Sequence, residues 1–198
     1  GGLWVFGGRD GARYHSDVWR FDVTTTAWRL VDATGPAPRR AHTATLLADA
    51  MVVVGGGDSR GALGDVWRLS LNNEVKWTKI SESFASTHSD RPWRAWGHSA
   101  VSLEGRDDLI VLFGGASNTG QVFRATNDVE LIQITDEKGV RALVHAAEGQ
   151  PPPAVYRHSC TPLGGDRFLV AGGYTFAPSI SSEELDGGRG IALTYCTA

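Results

Sequence analysis

A run of branched and aromatic residues ending in two glycines appears four times along this chain, and no other feature narrows the possible folds as far. Leu3-Trp4-Val5-Phe6-Gly7-Gly8 returns as Met51-Val52-Val53-Val54-Gly55-Gly56. It returns again as Ile110-Val111-Leu112-Phe113-Gly114-Gly115 and as Phe168-Leu169-Val170-Ala171-Gly172-Gly173. The first glycines are 48, 59 and 58 residues apart. Asp17-Val18-Trp19-Arg20-Phe21 follows the first block and Asp65-Val66-Trp67-Arg68-Leu69 the second, each nine residues after its glycine pair. Asn127-Asp128-Val129-Glu130-Leu131 is the third copy, four residues later in its repeat. Trp28 and Trp77 come next in the first two copies. In the third, Leu143 stands nearest the vacant tryptophan place. Stretches rich in proline and arginine then lead to His42, His98 and His158.

Self-similarity at a fixed period of this size marks a repeat architecture. Runs of β-branched and aromatic residues bounded by glycine read as strands, and the near-continuous ones suit inner strands covered on both faces. The Asp-Val-Trp-Arg-Phe type alternates and suits a strand with one wetter face. The segments around Trp28 and Trp77 read as outer strands, and those starting at His42, His98 and His158 as the first strands of successive units. Four short strands per unit, radially repeated, is the pattern of a propeller blade. Helical periodicity is absent.

Composition removes several classes. With 41% hydrophobic residues and a net charge of −3, disorder and an electrostatic case for nucleic acid both fall away. No apolar run approaches the length of a membrane-spanning helix. The two cysteines, Cys160 and Cys196, are too few for a disulfide framework, and no glycosylation sequon occurs, so a cytoplasmic or nuclear location is expected. The chain starts without methionine and in mid-pattern, which reads as a piece of a longer polypeptide.

Taken together, the Gly-Gly blocks, the Asp-Val-aromatic strands, Trp28, Trp77, the Arg39 region and the three histidines resemble the kelch-repeat β-propellers. The resemblance implies an all-β, kelch-type β-propeller with about three and a half four-stranded blades visible, out of a ring of about six or seven. It implies one partial propeller over 1–198: strands b to d of blade one in 1–31, blade two in 42–80, blade three in 98–146 and a degenerate blade four in 158–198. Strands late in blade four are sought around 191–197. Gly7, Gly8, Gly55, Gly56, Gly114, Gly115, Gly172, Gly173, Trp28, Trp77, His42, His98, His158 and Arg39 then serve the blade itself. Truncating Trp28 or Trp77 to alanine is expected to cost about 3–5 kcal/mol. Asp17, Asp22, Asp65 and Asp128 read as strand-end hydrogen-bonders. His15, His88 and His145 fall outside the repeat and read as exposed loop or strand positions.

No P-loop, zincin helix or nucleophile elbow is present. Kelch-fold enzymes hold copper or iron on tyrosine, cysteine, histidine and acidic patterns that this chain does not reproduce. No catalytic residue, metal or cofactor is expected. The alternative is a kelch-fold oxidase or isomerase with a site at the propeller axis, completed by further blades.

Connection lengths point to one end of the blades. The a–b and c–d turns are short, whereas the b–c connections (9–16, 57–64, 116–127 and 174–190) and the 81–97 linker are long. Long loops on a rigid scaffold carry function. Arg9, Arg13, Tyr14, His15, Arg60, Phe123 and Arg124 lie in the b–c connections, and Arg91, Trp93, Arg94 and Trp96 in the linker. Arginine and aromatic residues dominate binding hot spots, and guanidinium forks match carboxylates and phosphates. In kelch substrate adaptors the corresponding face grips short, often acidic, peptides. The expectation is a non-catalytic scaffold that binds a protein or an acidic or phosphorylated peptide through Arg13, Tyr14, Arg60, Phe123, Arg124, Arg91, Trp93 and Arg94.

Overall fold

The computed structural model of the chain describes residues 2–72, 74–119, 122–135, 139–143, 149–175 and 194–197. All their regular structure is strand, gathered into antiparallel sheets. The first sheet is β1 (Gly2–Arg9), β2 (Tyr14–Asp22) and β3 (Ala27–Val31). The second is β4 (Thr43–Leu47), β5 (Ala50–Gly57), β6 (Ala62–Ser70) and β7 (Trp77–Ser81). The third begins with β8 (Ser99–Ser102) and β9 (Leu109–Phe113). The chain then leaves it for a separate hairpin, β10 (Ala116–Thr119) and β11 (Val122–Ala125), and returns as β12 (Val129–Thr135) and β13 (Gly139–Leu143). The fourth is β14 (Ser159–Gly164), β15 (Arg167–Ala171) and β16 (Thr194–Thr197). In the second and third sheets the strands lie in chain order from inner to outer edge, as kelch blades require. The sheets stand face to face without closing a ring.

Packing explains the continuous apolar runs. β5 is buried along its whole length because both of its faces are covered. Met51 and Val53 turn towards the first sheet and join Phe6, Val18, Leu69 and Trp77. Val52 and Val54 turn the other way and join Ile110, Leu112 and Ile132 of the third. A third layer, built on Val111, Phe113, Phe168 and Val170, joins the third sheet to the fourth. Cys160 packs beside that layer.

The glycine pairs end each inner strand in a conformation closed to most side chains. Gly55 and Gly56 have φ of 55° and 95°, and a bulge shifts the register between Val54 and Gly56. A Cβ on Gly56 would also lie 2.7 Å from Cβ of His42, and one on Gly115 the same distance from Cβ of His98. The second glycine and the histidine are therefore one packing unit, which explains why they recur together.

Three expectations need correction. Trp28 is not a core residue: it is 51% exposed, whereas Trp77 is 7% exposed. Trp77 packs edge-on to Phe6 of the preceding sheet, but among the described residues no sheet covers the matching face of the first, where Leu3, Val5, Trp19 and Leu30 also lie open. Leu143 does not take the missing tryptophan's place. Trp28 and Trp77 lie opposite Phe21 and Leu69, and the equivalent Ile132 lies opposite Ala142, one residue earlier. The b–c connections are shorter than expected. β1 and β2 stay paired past the glycines to Arg9 and Tyr14, β5 and β6 to Gly57 and Ala62, and 116–125 is mostly the β10–β11 hairpin. His145 and 176–190 lie outside the described residues, as do 191–193 of the last predicted strand.

Candidate functional site

The end of the blades that carries the b–c turns also carries the linkers between sheets, and three arrangements fix it. The first is a clamp in the linker before β4. Arg39, 1% exposed, donates from Nη1 and Nη2 to the two Asp65 carboxylate oxygens at 2.7 and 2.8 Å. It also donates to the carbonyls of Gly55 and Ala37. Burial alone would push the Asp65 carboxyl up, but the bonds and charge of Arg39 outweigh it and hold it below its ordinary value. Trp67 Nε1 donates to the same carboxylate.

The second fixes the long 81–97 linker. Glu130, at the place in its repeat held by Trp67 in the second, is 1% exposed. Its carboxylate accepts from Ser86 Oγ at 2.5 Å, from Thr87 Oγ1 at 2.7 Å and from the Thr87 amide at 3.0 Å. His88 Nε2 lies 2.7 Å from the Val129 carbonyl. A buried carboxylate is tolerated when it is this fully hydrogen-bonded.

The third joins neighbouring blades at their inner edges. His98 Nε2 lies 2.9 Å from Thr43 Oγ1, and His158 Nε2 2.8 Å from Ser99 Oγ. Burial holds all three repeat histidines neutral: His42 and His158 are pushed down to about 4, the former also by the charge of Arg39, and His98 to about 3. The amides of Gly97 and Arg157 bond the carbonyls of Ala41 and Gly97 across successive sheets.

On this frame stands a ladder of guanidinium groups and rings. Arg9 lies 5.4 Å from the Tyr14 ring centre and Arg40 6.0 Å from it; Arg40 is then 5.6 Å, and Arg157 5.7 Å, from the Trp96 ring. Trp96 meets Phe123 and Tyr156 edge-on, and Tyr156 lies against Tyr174. Stacking on rings is an arrangement guanidinium favours, and it leaves the N–H edges free to bond a ligand. Tyr14, Arg40, Arg60, Trp96, Asn118 and Phe123 line a hollow of about 340 Å³. Arg91, Arg94, Arg124 and Asp128 line a neighbouring one of about 570 Å³, and Asn118 is on the wall of both.

Charge pairing separates the two ends of the blades. Arg20, Arg68 and Arg106 pair with Asp22, Asp49 and Asp108 at the c–d and a–b turn end. At the other end Arg9, Arg13, Arg40, Arg60, Arg91, Arg94, Arg124 and Arg157 make no ion pair among the described residues. Two of the acids there are engaged locally, Asp10 with His15 and the Arg13 amide and Asp58 with the amides of Arg60 and Gly61, but among the described residues the Asp128 carboxylate is not.

Of the residues expected to bind a partner, Tyr14, Arg60 and Phe123 share the first hollow, and Arg91, Arg94 and Arg124 the second. Arg13 stands alone at the tip of the β1–β2 turn. Trp93 is not available: it is 8% exposed, stacked on Phe84 and edge-on to His98. Arg40, Tyr156, Arg157 and Tyr174 escaped the sequence reading. Their signal is positional, since Arg40, Trp96 and Tyr156 each lie two residues before a repeat histidine.

The family model described as the KLHDC2/KLHL20/DRC7 Kelch-repeats domain matches residues 1–173. The chain belongs to the kelch-repeat family. Similar kelch-family relatives include putative adagio-like protein 2 of Oryza sativa subsp. japonica, 30% identical over 86% of the chain and 28% of that protein. Multiple epidermal growth factor-like domains protein 8 of Mus musculus is 29% identical over 92% of the chain and 7% of its own length. Host cell factor 2 of Homo sapiens is 31% identical over 51% of the chain and 15% of its own length. This kelch chain thus spans under a third of these curated relatives.

Proposed function

We propose that this kelch chain is a non-catalytic interaction scaffold, and that its linker end docks a protein segment rich in carboxylate or phosphate groups. The observation that carries the reading is the charge asymmetry: Arg20, Arg68 and Arg106 pair with aspartates at the turn end, whereas at the linker end only Arg39 is paired and eight other arginines make no ion pair among the described residues. An unpaired guanidinium held on an aromatic ring is preorganised, so little side-chain freedom is lost when an anion binds. His98 and His158 are engaged in the frame through Thr43 and Ser99.

The test is fluorescence anisotropy with a labelled glutamate-rich hexapeptide and its glutamine counterpart. The acidic peptide should bind in a salt-sensitive manner and the neutral one should not. Reversal of Arg60, Arg94 and Arg124 to glutamate should abolish binding without lowering the melting temperature. Equal binding of both peptides, or binding that survives the reversal, would defeat the reading.

A further inference from the structure

We propose that the third blade takes an arginine side chain from the docked segment into the place where the second blade keeps its own; this rests on the docking reading above. The repeat register defines the place. The carbonyls of Arg39, Ala95 and Val155 accept from the amides of Gly8, Gly56 and Gly115 at 2.9, 2.8 and 2.7 Å, so the three residues are equivalent. Asp65 and Asp128 are equivalent too, each preceding a valine that pairs with the residue before a glycine pair. In the second blade the Arg39 guanidinium fills the space between them and bonds both Asp65 oxygens. In the third the arginine is replaced by Ala95, and the space stays open: Ala95 and Asp128 are both on the wall of the 570 Å³ hollow. Among the described residues the Asp128 carboxylate, half-buried there, has no ion pair or hydrogen bond.

The surroundings say what the arginine comes with. Arg91, Arg94 and Arg124 line the same hollow, so a bare cation would be repelled. An arginine flanked by acidic residues matches both charges, its guanidinium on Asp128 and its neighbours' carboxylates on the rim. Lysine fits less well, because a point charge cannot reproduce the bidentate fork that Arg39 makes on Asp65.

Three labelled pentapeptides test this by anisotropy with the whole chain: Glu-Glu-Xaa-Glu-Glu amides in which Xaa is arginine, lysine or citrulline, the neutral isostere of arginine. The arginine peptide should bind at least about tenfold tighter than the citrulline peptide. Asp128→Asn should erase that preference. Ala95→Arg, which supplies the side chain from within the chain, should also erase it and raise the melting temperature. Equal affinity for the arginine and citrulline peptides overturns the inference, as does a preference that persists in either variant. Acidic peptides bound without any guanidinium preference leave the docking reading standing alone. If no peptide binds, both fall.

Discussion

Trp28 and Trp77 hold the same place in successive repeats, yet a residue's contribution is set by what covers it. Trp77→Ala removes a ring held by Phe6 and Trp67 and should cost about 3–5 kcal/mol. Trp28→Ala removes one that is half in water and meets Phe21, and should cost about 1 kcal/mol. Urea midpoints of the two variants check the difference, and equal losses would mean that the first sheet is covered. Arg39 is the other residue-scale case. Arg39→Met leaves the Asp65 carboxylate without its counter-charge and should cost about 3–5 kcal/mol, of which Arg39→Met with Asp65→Leu should recover a large part. A double variant no more stable than the single would show that the bonds of Arg39 to the Gly55 and Ala37 carbonyls matter more than the ion pair.

At the scale of elements, the Glu130 carboxylate of the third sheet ties down the 86–87 stretch of the 81–97 linker. Glu130→Gln replaces an acceptor oxygen by a donor that faces the Ser86 and Thr87 donors. It should loosen the linker by about 1.5–3 kcal/mol. Limited trypsinolysis after Arg94 reports this: cleavage should accelerate in the variant, and an unchanged rate would place the linker's anchor elsewhere. The strands themselves were legible, because β-branched runs, paired glycines and the histidines at the start of the neighbouring strand are coupled by packing, as at Gly56 and His42. What the sequence hid depends on neighbours in space. Nothing local says that Glu130 meets Ser86 and Thr87 across 44 and 43 residues of chain, or that Trp93 turns inward onto Phe84 while Trp96 turns towards the hollow. Nor did the connections reveal that strands run on past the glycines, since bulged pairing beyond a glycine reads as loop.

Across the whole molecule, the three repeat histidines set a pH response. In the unfolded chain each protonates near 6.5, but in the folded chain only near 4 or 3. Below pH 6.5 the unfolded state therefore binds more protons, and stability falls as pH falls through that window. Urea midpoints measured from pH 7 to 5 should drop steadily, with an uptake approaching three protons per molecule unfolded at the low end; a flat profile would mean that the histidines are solvated. The same scale holds the central claim, that two ends of one scaffold differ in charge pairing and hence in use. The direct measurement is quantitative affinity capture with two variants of equal net charge. One carries Arg60→Glu, Arg94→Glu and Arg124→Glu at the linker end, the other Arg20→Glu, Arg68→Glu and Arg106→Glu at the turn end. Partner recovery should collapse in the first and persist in the second; equal recovery, or equal loss, in both would contradict the account.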